Sequence, residues 1–137
     1  MRFTILYHQV ASDARRSNHW DLLLQSDEMP FAPDSACLLC FELLVPPAQW
    51  EHLEARALAK HRGLYLDYEG VLTEGRGSVE QVLTGEIVWL SRSPKELRFQ
   101  TITEKLPCPE SWGPSNCWSM IPIAEREDYW QLSRLRP

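Results

Sequence analysis

Short apolar or alternating segments recur along the chain, and residues that favour turns separate them. This pattern is typical of β-strands rather than of long helices. It predicts eight strands, at residues 3–7, 19–25, 38–45, 64–72, 79–83, 86–90, 96–103 and 117–123. Thr84-Gly85 and the segment 91–95 contain the residues expected in hairpin connections.

Two segments have helical spacing instead. Pro47 suits the first turn of a helix, where its missing N–H is tolerated. The apolar residues that follow it at helical intervals are Trp50, Leu53, Ala57 and Leu58. A second, weaker helix is predicted at 125–135. Many short strands with few helices indicate a mainly β fold, either an antiparallel barrel or a sandwich.

The composition is that of an ordinary globular domain. The chain has 137 residues, of which 44% are hydrophobic and 24% charged, enough to bury a core without disulfide or metal staples. No apolar run approaches the ~20 residues that cross a bilayer, and residues 1–8 lack the features of a signal peptide. We therefore expect one cytoplasmic domain, monomeric and without a membrane partner.

The charge balance restricts how the protein could bind nucleic acid. Fourteen basic and 19 acidic side chains give a net charge of −5. Proteins that coat DNA through its phosphates normally present a broad basic face. A small basic site within an acidic surface remains compatible with this total, because steering depends on the local field.

Four cysteines are present, at positions 37, 40, 108 and 117. In a reducing compartment we expect free thiols rather than disulfides. Cys37 and Cys40 have the spacing of a zinc half-site. However, no histidine is near either pair in sequence, and Leu38 and Leu39 between them favour a buried strand.

The segment His19-Trp20-Asp21 carries the first candidate chemistry. Side chains two apart on a strand project from the same face, so His19 and Asp21 point together. An imidazole and a carboxylate suit manganese, zinc or iron. His8 ends the preceding predicted strand and becomes a third ligand if the two strands pair. A plain surface pair is the alternative interpretation of this spacing.

The run from His61 to Gly70 is the second unusual segment. On a strand, Tyr65, Asp67 and Glu69 share one face, opposite an apolar face. A half-solvated sheet gives the same pattern. We expect Asp67 and Glu69 to order the local backbone, or to support His8 or His19 from outside the metal site.

Several motifs resemble the 3′-phosphoesterase domain of bacterial DNA ligase D. The run from His61 to Gly70 is similar to that family's His-x-x-x-Tyr-x-Asp-Phe-Glu-Gly motif, and His19-Trp-Asp-Leu-Leu-Leu to its His-Tyr-Asp-Leu-Arg-Leu strand. Phe3-Thr-Ile-Leu-Tyr-His8 resembles its first strand. Gly75-Arg-Gly-Ser-Val79 and Lys95-Glu-Leu-Arg-Phe99 are similar to its downstream glycine turn and strand.

The resemblance implies an antiparallel β-barrel of about eight strands with one or two flanking helices. It also implies manganese-dependent removal of a 3′-phosphate or a 3′-terminal ribonucleotide from DNA ends, with zinc as an alternative metal. By position, His8, His19 and Asp21 are the implied metal ligands, and His61 and Tyr65 the implied catalytic contacts to phosphate. A separate ligase or other end-joining proteins are the implied partners.

The chain departs from the family at Leu23, where the family has a phosphate-binding arginine. Four other arginines are candidates to replace it, and they are Arg15, Arg16, Arg62 and Arg76. Solvated loop charges are the alternative interpretation of all four. Leu23 also favours a second functional hypothesis, a catalytically weak or inactive module of the same fold that binds a metal or a DNA end in repair. A third hypothesis is a barrel that only mediates protein contacts.

Six tryptophans, at positions 20, 50, 89, 112, 118 and 130, suggest either stacking on unpaired bases or core packing. Their positions in apolar patterns favour the core.

Overall fold

A computed structural model describes residues 1–26, 33–104 and 112–136. Within these ranges the chain forms nine strands, namely β1 (Arg2–Gln9), β2 (His19–Gln25), β3 (Ala36–Leu43), β4 (His52–Arg62), β5 (Gly70–Val71), β6 (Ser78–Ser93), β7 (Glu96–Thr103), β8 (Ser115–Pro122) and β9 (Tyr129–Leu135). Short 3-10 turns occupy Pro47–Gln49, Gly63–Leu66 and Thr73–Gly75. No helix in the described parts of the chain is long and apolar enough to cross a membrane. Cys108 lies outside the described residues.

The strands form a closed antiparallel barrel, as predicted. Eight strands follow the order β1-β2-β3-β4-β9-β8-β7-β6, and β1 pairs with β6 to close the sheet. The two-residue β5 adds to the free edge of β6 beyond this closure. Closure removes the exposed sheet edges that an open sandwich would leave.

The predicted hairpin at Thr84-Gly85 is wrong, because β6 runs through it for 16 residues. Gly85 marks a close approach of backbones rather than a turn. A Cβ at this position would lie 1.9 Å from the Ile102 carbonyl oxygen. The predicted connection at 91–95 is confirmed, since β7 begins three residues after β6 ends. There the Ser93 hydroxyl accepts hydrogen bonds from the backbone N–H groups of Lys95 and Glu96.

Both predicted helices are also wrong. Only Pro47–Gln49 is helical in the first segment, and β4 follows it. β4 pairs with β3 on one side and β9 on the other, so its backbone hydrogen bonds lie between strands. The second segment forms β9, preceded by left-handed backbone at Glu125 and Asp128. In both places sheet pairing overrides the helical spacing of the sequence.

The predicted strand at 64–72 is replaced by the 3-10 turn Gly63–Leu66 and the short β5. Tyr65, Asp67 and Glu69 therefore do not form one face of a strand. Asp67 instead receives two hydrogen bonds from Arg2, at 3.0 and 2.6 Å, and Glu69 accepts one from the Gln81 N–H at 3.2 Å. The expectation that these carboxylates order nearby backbone is confirmed for Glu69, whereas Asp67 binds the side chain of Arg2.

All eight barrel strands contribute apolar side chains to one internal cluster. Trp50, Trp112 and Trp118 are fully buried there, and their rings contact one another with centroids 4.9 to 6.4 Å apart. The other three tryptophans pack against the same cluster. Core packing of the six tryptophans is confirmed.

A second apolar cluster covers the outer face of β1, β2 and β3. It joins Leu6, Leu23 and Cys40 of these strands to Leu66 and Leu72 of the connection between β4 and β6. The connection thus packs across the outside of the barrel. The polar side chains that carry the candidate chemistry lie beside this second cluster.

Candidate metal centre

His8, His19 and Asp21 converge on the outer face of the barrel. β1 and β2 pair with His8 opposite His19 and Leu6 opposite Asp21, so all three polar side chains project from one face. One ligand atom from each of the three lies within 4.8 Å of the others, and the two imidazole centroids are 4.7 Å apart. The sequence predicted that His8 joins His19 and Asp21 if the first two strands pair, and they do pair.

In each of the two imidazoles, one ring nitrogen is hydrogen-bonded to a backbone carbonyl. The other nitrogen therefore keeps a lone pair that faces Asp21. A carbonyl oxygen only accepts, so His19 donates from Nδ1 to Ser17 (2.9 Å) and His8 donates from Nε2 to Arg76 (2.8 Å). The second nitrogens then face Asp21: His19 Nε2 is 3.3 Å from Oδ1, and His8 Nδ1 is 3.8 Å from Oδ2. Backbone carbonyls orient metal-binding histidines in this way.

Two atoms of this group are buried without a hydrogen-bond partner. They are His19 Nε2 and Asp21 Oδ1, and in the neutral imidazole both carry lone pairs that repel each other. Burial opposes charging His19, but a protonated Nε2 can donate to Asp21, and this bond and the carboxylate charge outweigh burial and raise the pKa of the imidazole. A cation between the two atoms, a proton or a metal ion, removes the conflict.

The distances fit a metal ion. Ligand atoms about 2.0 to 2.2 Å from one tetrahedral zinc are separated by about 3.4 Å. The separation of His19 Nε2 from Asp21 Oδ1, 3.3 Å, matches this value. His8 Nδ1 lies 3.8 Å from the other oxygen, Oδ2, so one ion requires either both carboxylate oxygens or a rotation of the side chains. Three protein ligands of this kind leave positions open for water or substrate, as catalytic sites require.

Two adjoining cavities open at this group. Their volumes are about 230 and 460 Å³, and His8, Asp21, His61 and Arg76 line both of them. Each is several times the ~30 Å³ that one water occupies in the liquid. There is room for a phosphate group beside the candidate metal position.

His61 and Tyr65 line the smaller cavity, with ring centroids 5.8 Å apart. A bulge in β4 places His61 there. Cys40 pairs with Leu58 and Leu38 with His61, so β4 has one more residue than β3 across this interval. The extra residue turns the side chain of His61, rather than that of Lys60, toward Asp21.

Cationic side chains surround the two cavities despite the acidic total. Lys60, Arg62 and Arg76 line the smaller one, and Arg15, Arg16 and Arg76 the larger. The Arg62 guanidinium lies 5.7 Å from the Tyr65 ring centroid. The Arg76 guanidinium donates hydrogen bonds to the backbone carbonyl and the hydroxyl of Thr73. Lys60 is the member that sequence reasoning missed.

Leu23 faces the same side as Asp21 but does not line either cavity. Its side chain is fully buried in the second apolar cluster, beside Cys40 on the neighbouring strand. The position at which the ligase D family has a phosphate-binding arginine therefore does not border either cavity in this protein. A guanidinium here would be buried among apolar side chains.

Sequence reasoning did not connect Cys40 or Glu42 of β3 with this site, and considered Cys40 only as a zinc half-site with Cys37. Cys40 Sγ lies 3.8 Å from His61 Nε2, and Glu42 is the cross-strand neighbour of Asp21. Burial, with the charges of Asp21 and Glu42, raises the pKa of the Cys40 thiol well above its usual value. The expected buried strand is confirmed here, and Cys37 does not join the described ligand groups.

Glu42 fixes one of the cavity arginines. Its carboxylate accepts hydrogen bonds from Arg16 and, at 3.0 Å, from Arg56. Burial alone would raise the pKa of Glu42, but the bonds from the arginines and the charge of His19 lower it.

We therefore expect Glu42→Gln to destabilise the metal-free protein by about 1 kcal/mol at neutral pH, a value that allows for the exposure of both arginines. A depressed pKa stabilises the fold above the ordinary value of 4.5 and loses this effect as the pH falls through the lowered value. Urea unfolding of both proteins should show the difference at pH 7 and its loss once the pH falls below the lowered pKa of Glu42. A difference that persists in acid would contradict this role.

A comparison of the chain with models of known protein families finds no match, and none of the curated proteins is significantly similar to it.

Proposed function

We propose that this protein is a divalent-metal-dependent phosphoesterase that acts on the 3′ ends of nucleic acid. The observation that carries the proposal is the group of His8, His19 and Asp21, with two buried atoms that need a cation, beside a cavity lined by basic side chains. The reaction class is that of the 3′-phosphoesterase domain of ligase D, whose motifs the sequence resembles. A cytoplasmic protein working with a separate ligase or end-joining proteins is part of this proposal.

The metal would be held by His8 Nδ1, His19 Nε2 and a carboxylate oxygen of Asp21. A bound manganese or zinc ion supplies Lewis-acid polarisation of a phosphoryl oxygen and neutralises developing charge. Hard oxygen and imidazole ligands without sulfur are compatible with manganese. The chain's own task is to orient the phosphate and to deliver a proton.

Binding the phosphate falls to the basic residues of the cavity walls. Lys60, Arg62 and Arg76 present cations around the smaller cavity, and Arg15 adds one from the rim of the larger. These side chains lie on exposed loops and strand ends, unlike a clamp held in a strand. They would favour a dianionic terminal phosphate over an internal diester.

His61 is the proposed proton donor. Its Nδ1 donates to the Ala59 carbonyl at 3.0 Å, which fixes the ring and leaves Nε2 at the site. When protonated at Nε2, His61 would transfer this proton to the leaving oxygen of the ester. Tyr65, from the facing wall, would donate its phenolic O–H to a phosphoryl oxygen.

The buried position of Leu23 favours a second candidate function. Without a strand-held arginine, phosphate binding depends on side chains that must be ordered when substrate arrives. A module that binds a metal and a DNA end with weak or no turnover fits this arrangement.

An assay on a nicked duplex that ends in a 3′-phosphate separates the two candidates. An enzyme releases inorganic phosphate when manganese is added and stops when the metal is chelated. The binding module retains metal-dependent affinity for the same end without releasing phosphate. Absence of both hydrolysis and metal-dependent binding would refute the proposal.

Removing the cations of the smaller cavity tests the phosphate-binding role. We expect the double variant Arg62→Ala/Arg76→Ala to lower kcat/KM by about ten- to a hundredfold, or ~1.4 to 3 kcal/mol. The Arg76 backbone carbonyl, which orients His8, is retained in this variant.

Arg126→Ala is the matched control, because Arg126 is an exposed, ion-paired arginine outside both cavities. It should change kcat/KM by less than twofold. Equal effects of the double variant and the control would contradict the assignment.

A further inference from the structure

We propose a second cation position, formed by Asp21, Cys40 and His61, that selects a thiophilic metal of the zinc class. One ligand atom from each of the three lies within 4.8 Å of the other two. Asp21 belongs to this group and to the first centre, so its carboxylate would lie between two adjacent cations. Nothing in the resemblance to ligase D implies a cysteine at the site.

The positions of Cys40 and His61 suit binding to one shared metal ion. The two ligand atoms, Sγ and Nε2, are 3.8 Å apart. Zinc that binds sulfur at about 2.3 Å and nitrogen at about 2.0 Å holds them about 3.6 Å apart. His61 already has the tautomer that binding needs, because its Nδ1–H is donated to Ala59.

A weak hydrogen bond from the thiol to His61 is the simpler explanation of this contact. It leaves the third side chain out, because the thiol has a single hydrogen and a carboxylate oxygen of Asp21 also lies within 4.8 Å of the Cys40 and His61 ligand atoms. Cys40 and Asp21 are 2% and 3% exposed, so two groups that can each carry negative charge lie together in a largely buried place. A cation between the three side chains accounts for the thiol, the imidazole and the carboxylate together.

The sulfur decides which metal this position takes. Thiolate ligands favour zinc over magnesium or manganese, whereas the first centre has only nitrogen and oxygen ligands. Binding replaces the Cys40 S–H by a sulfur–metal bond and releases one proton to solvent. Zinc here would also engage His61 Nε2 and withdraw it from phosphate, a consequence that rests on the proposed function.

Cobalt titration of the metal-free protein at mildly alkaline pH tests the second position. Cobalt replaces zinc in such sites, and a thiolate ligand adds sulfur-to-cobalt charge-transfer absorption in the near ultraviolet. We expect two cobalt ions per chain and a charge-transfer band that reaches the intensity of one Co–S bond. The measurement does not depend on hydrolysis, so an inactive protein would leave this proposal standing.

Matched variants assign the band. Cys40→Ser should abolish it and leave one bound cobalt, while Cys37→Ser, three residues away on the same strand, should retain it. His8→Ala should keep the band and lose the other cobalt. His61→Ala provides a second test with the Cys40 thiol intact, and should weaken the band at least tenfold at limiting cobalt. A wild type without the band, or a band that survives Cys40→Ser, would overturn the proposal.

Discussion

Replacing Asp21 with asparagine is expected to abolish metal binding and hydrolysis together while the barrel stays folded. The amide loses the negative charge that faces both imidazoles. Outer-shell partners alone change metal affinity by about 10–100-fold, so loss of this direct ligand should weaken manganese binding by a hundredfold or more. Calorimetric titration with manganese and phosphate release from a 3′-phosphorylated nick measure the two effects.

The metal-free stability of the same variant separates a metal ligand from a structural ion pair. An asparagine N–H can donate to His19 Nε2, now 3.3 Å from the carboxylate, and satisfy an atom that lacks a partner. We therefore expect unfolding free energies within about 1 kcal/mol of the wild type at pH 8. Breaking a buried ion pair would instead cost about 3–5 kcal/mol.

Asp67→Asn is the control for this experiment. Asp67 is an exposed carboxylate that binds Arg2 away from the site. The variant should bind manganese and release phosphate as the wild type does. A comparable loss in both variants would show that the effect of Asp21 is not local.

The largest stability effect is expected from Gly77→Ala. Gly77 has φ +94°, and a Cβ there would lie 2.0 Å from the Gln9 carbonyl oxygen. The added strain and clash should cost about 2–4 kcal/mol. If the turn moves to relieve this clash, it also displaces the Arg76 carbonyl that orients His8. Manganese affinity should therefore fall about tenfold.

Gly75→Ala is the matched control on the other side of Arg76. Gly75 has φ +67° with no atom within 4 Å of an added Cβ, so only backbone strain remains. Its cost should be about 1 kcal/mol, with little change in manganese affinity. Thermal unfolding and manganese titration compare the two variants. Equal stability losses would contradict the role of the close contact with Gln9.

The sequence predicted the strands that carry the first centre better than it predicted the rest of the sheet. β2 and β7 have the predicted bounds, and β1 differs by one or two residues at its ends. β2 is an apolar run flanked by turn residues, and its inner face is core while its outer face carries His19 and Asp21. Pairing of β1 with β2 then brings His8 into place with no further information.

The alanine-rich segment before His61 misled the helical interpretation. Leu53, Ala55 and Ala57 alternate into the core of the barrel. Leu53 and Ala57 also belong to a set at helical intervals that includes Trp50 and Leu58. Only the pairing of β4 with β3 and β9 decides between the two. Such long-range pairing is not encoded in any local window of the sequence.

The contribution of β3 to the site could not be predicted from the sequence either. Cys40 and Glu42 alternate on one face of β3, but they reach Asp21 and His61 only through the register of β3 against β2 and through the bulge in β4. A bulge shifts the facing residue by one, which a regular two-residue period does not predict.

A crystal structure of the protein soaked in manganese would locate the metal site. Anomalous scattering identifies the ion without reference to activity. We expect a peak about 2.0 to 2.3 Å from His8 Nδ1, His19 Nε2 and an oxygen of Asp21, at the floor of the two cavities. A fully soaked crystal with no peak at these three side chains, or with manganese bound elsewhere, would contradict this expectation.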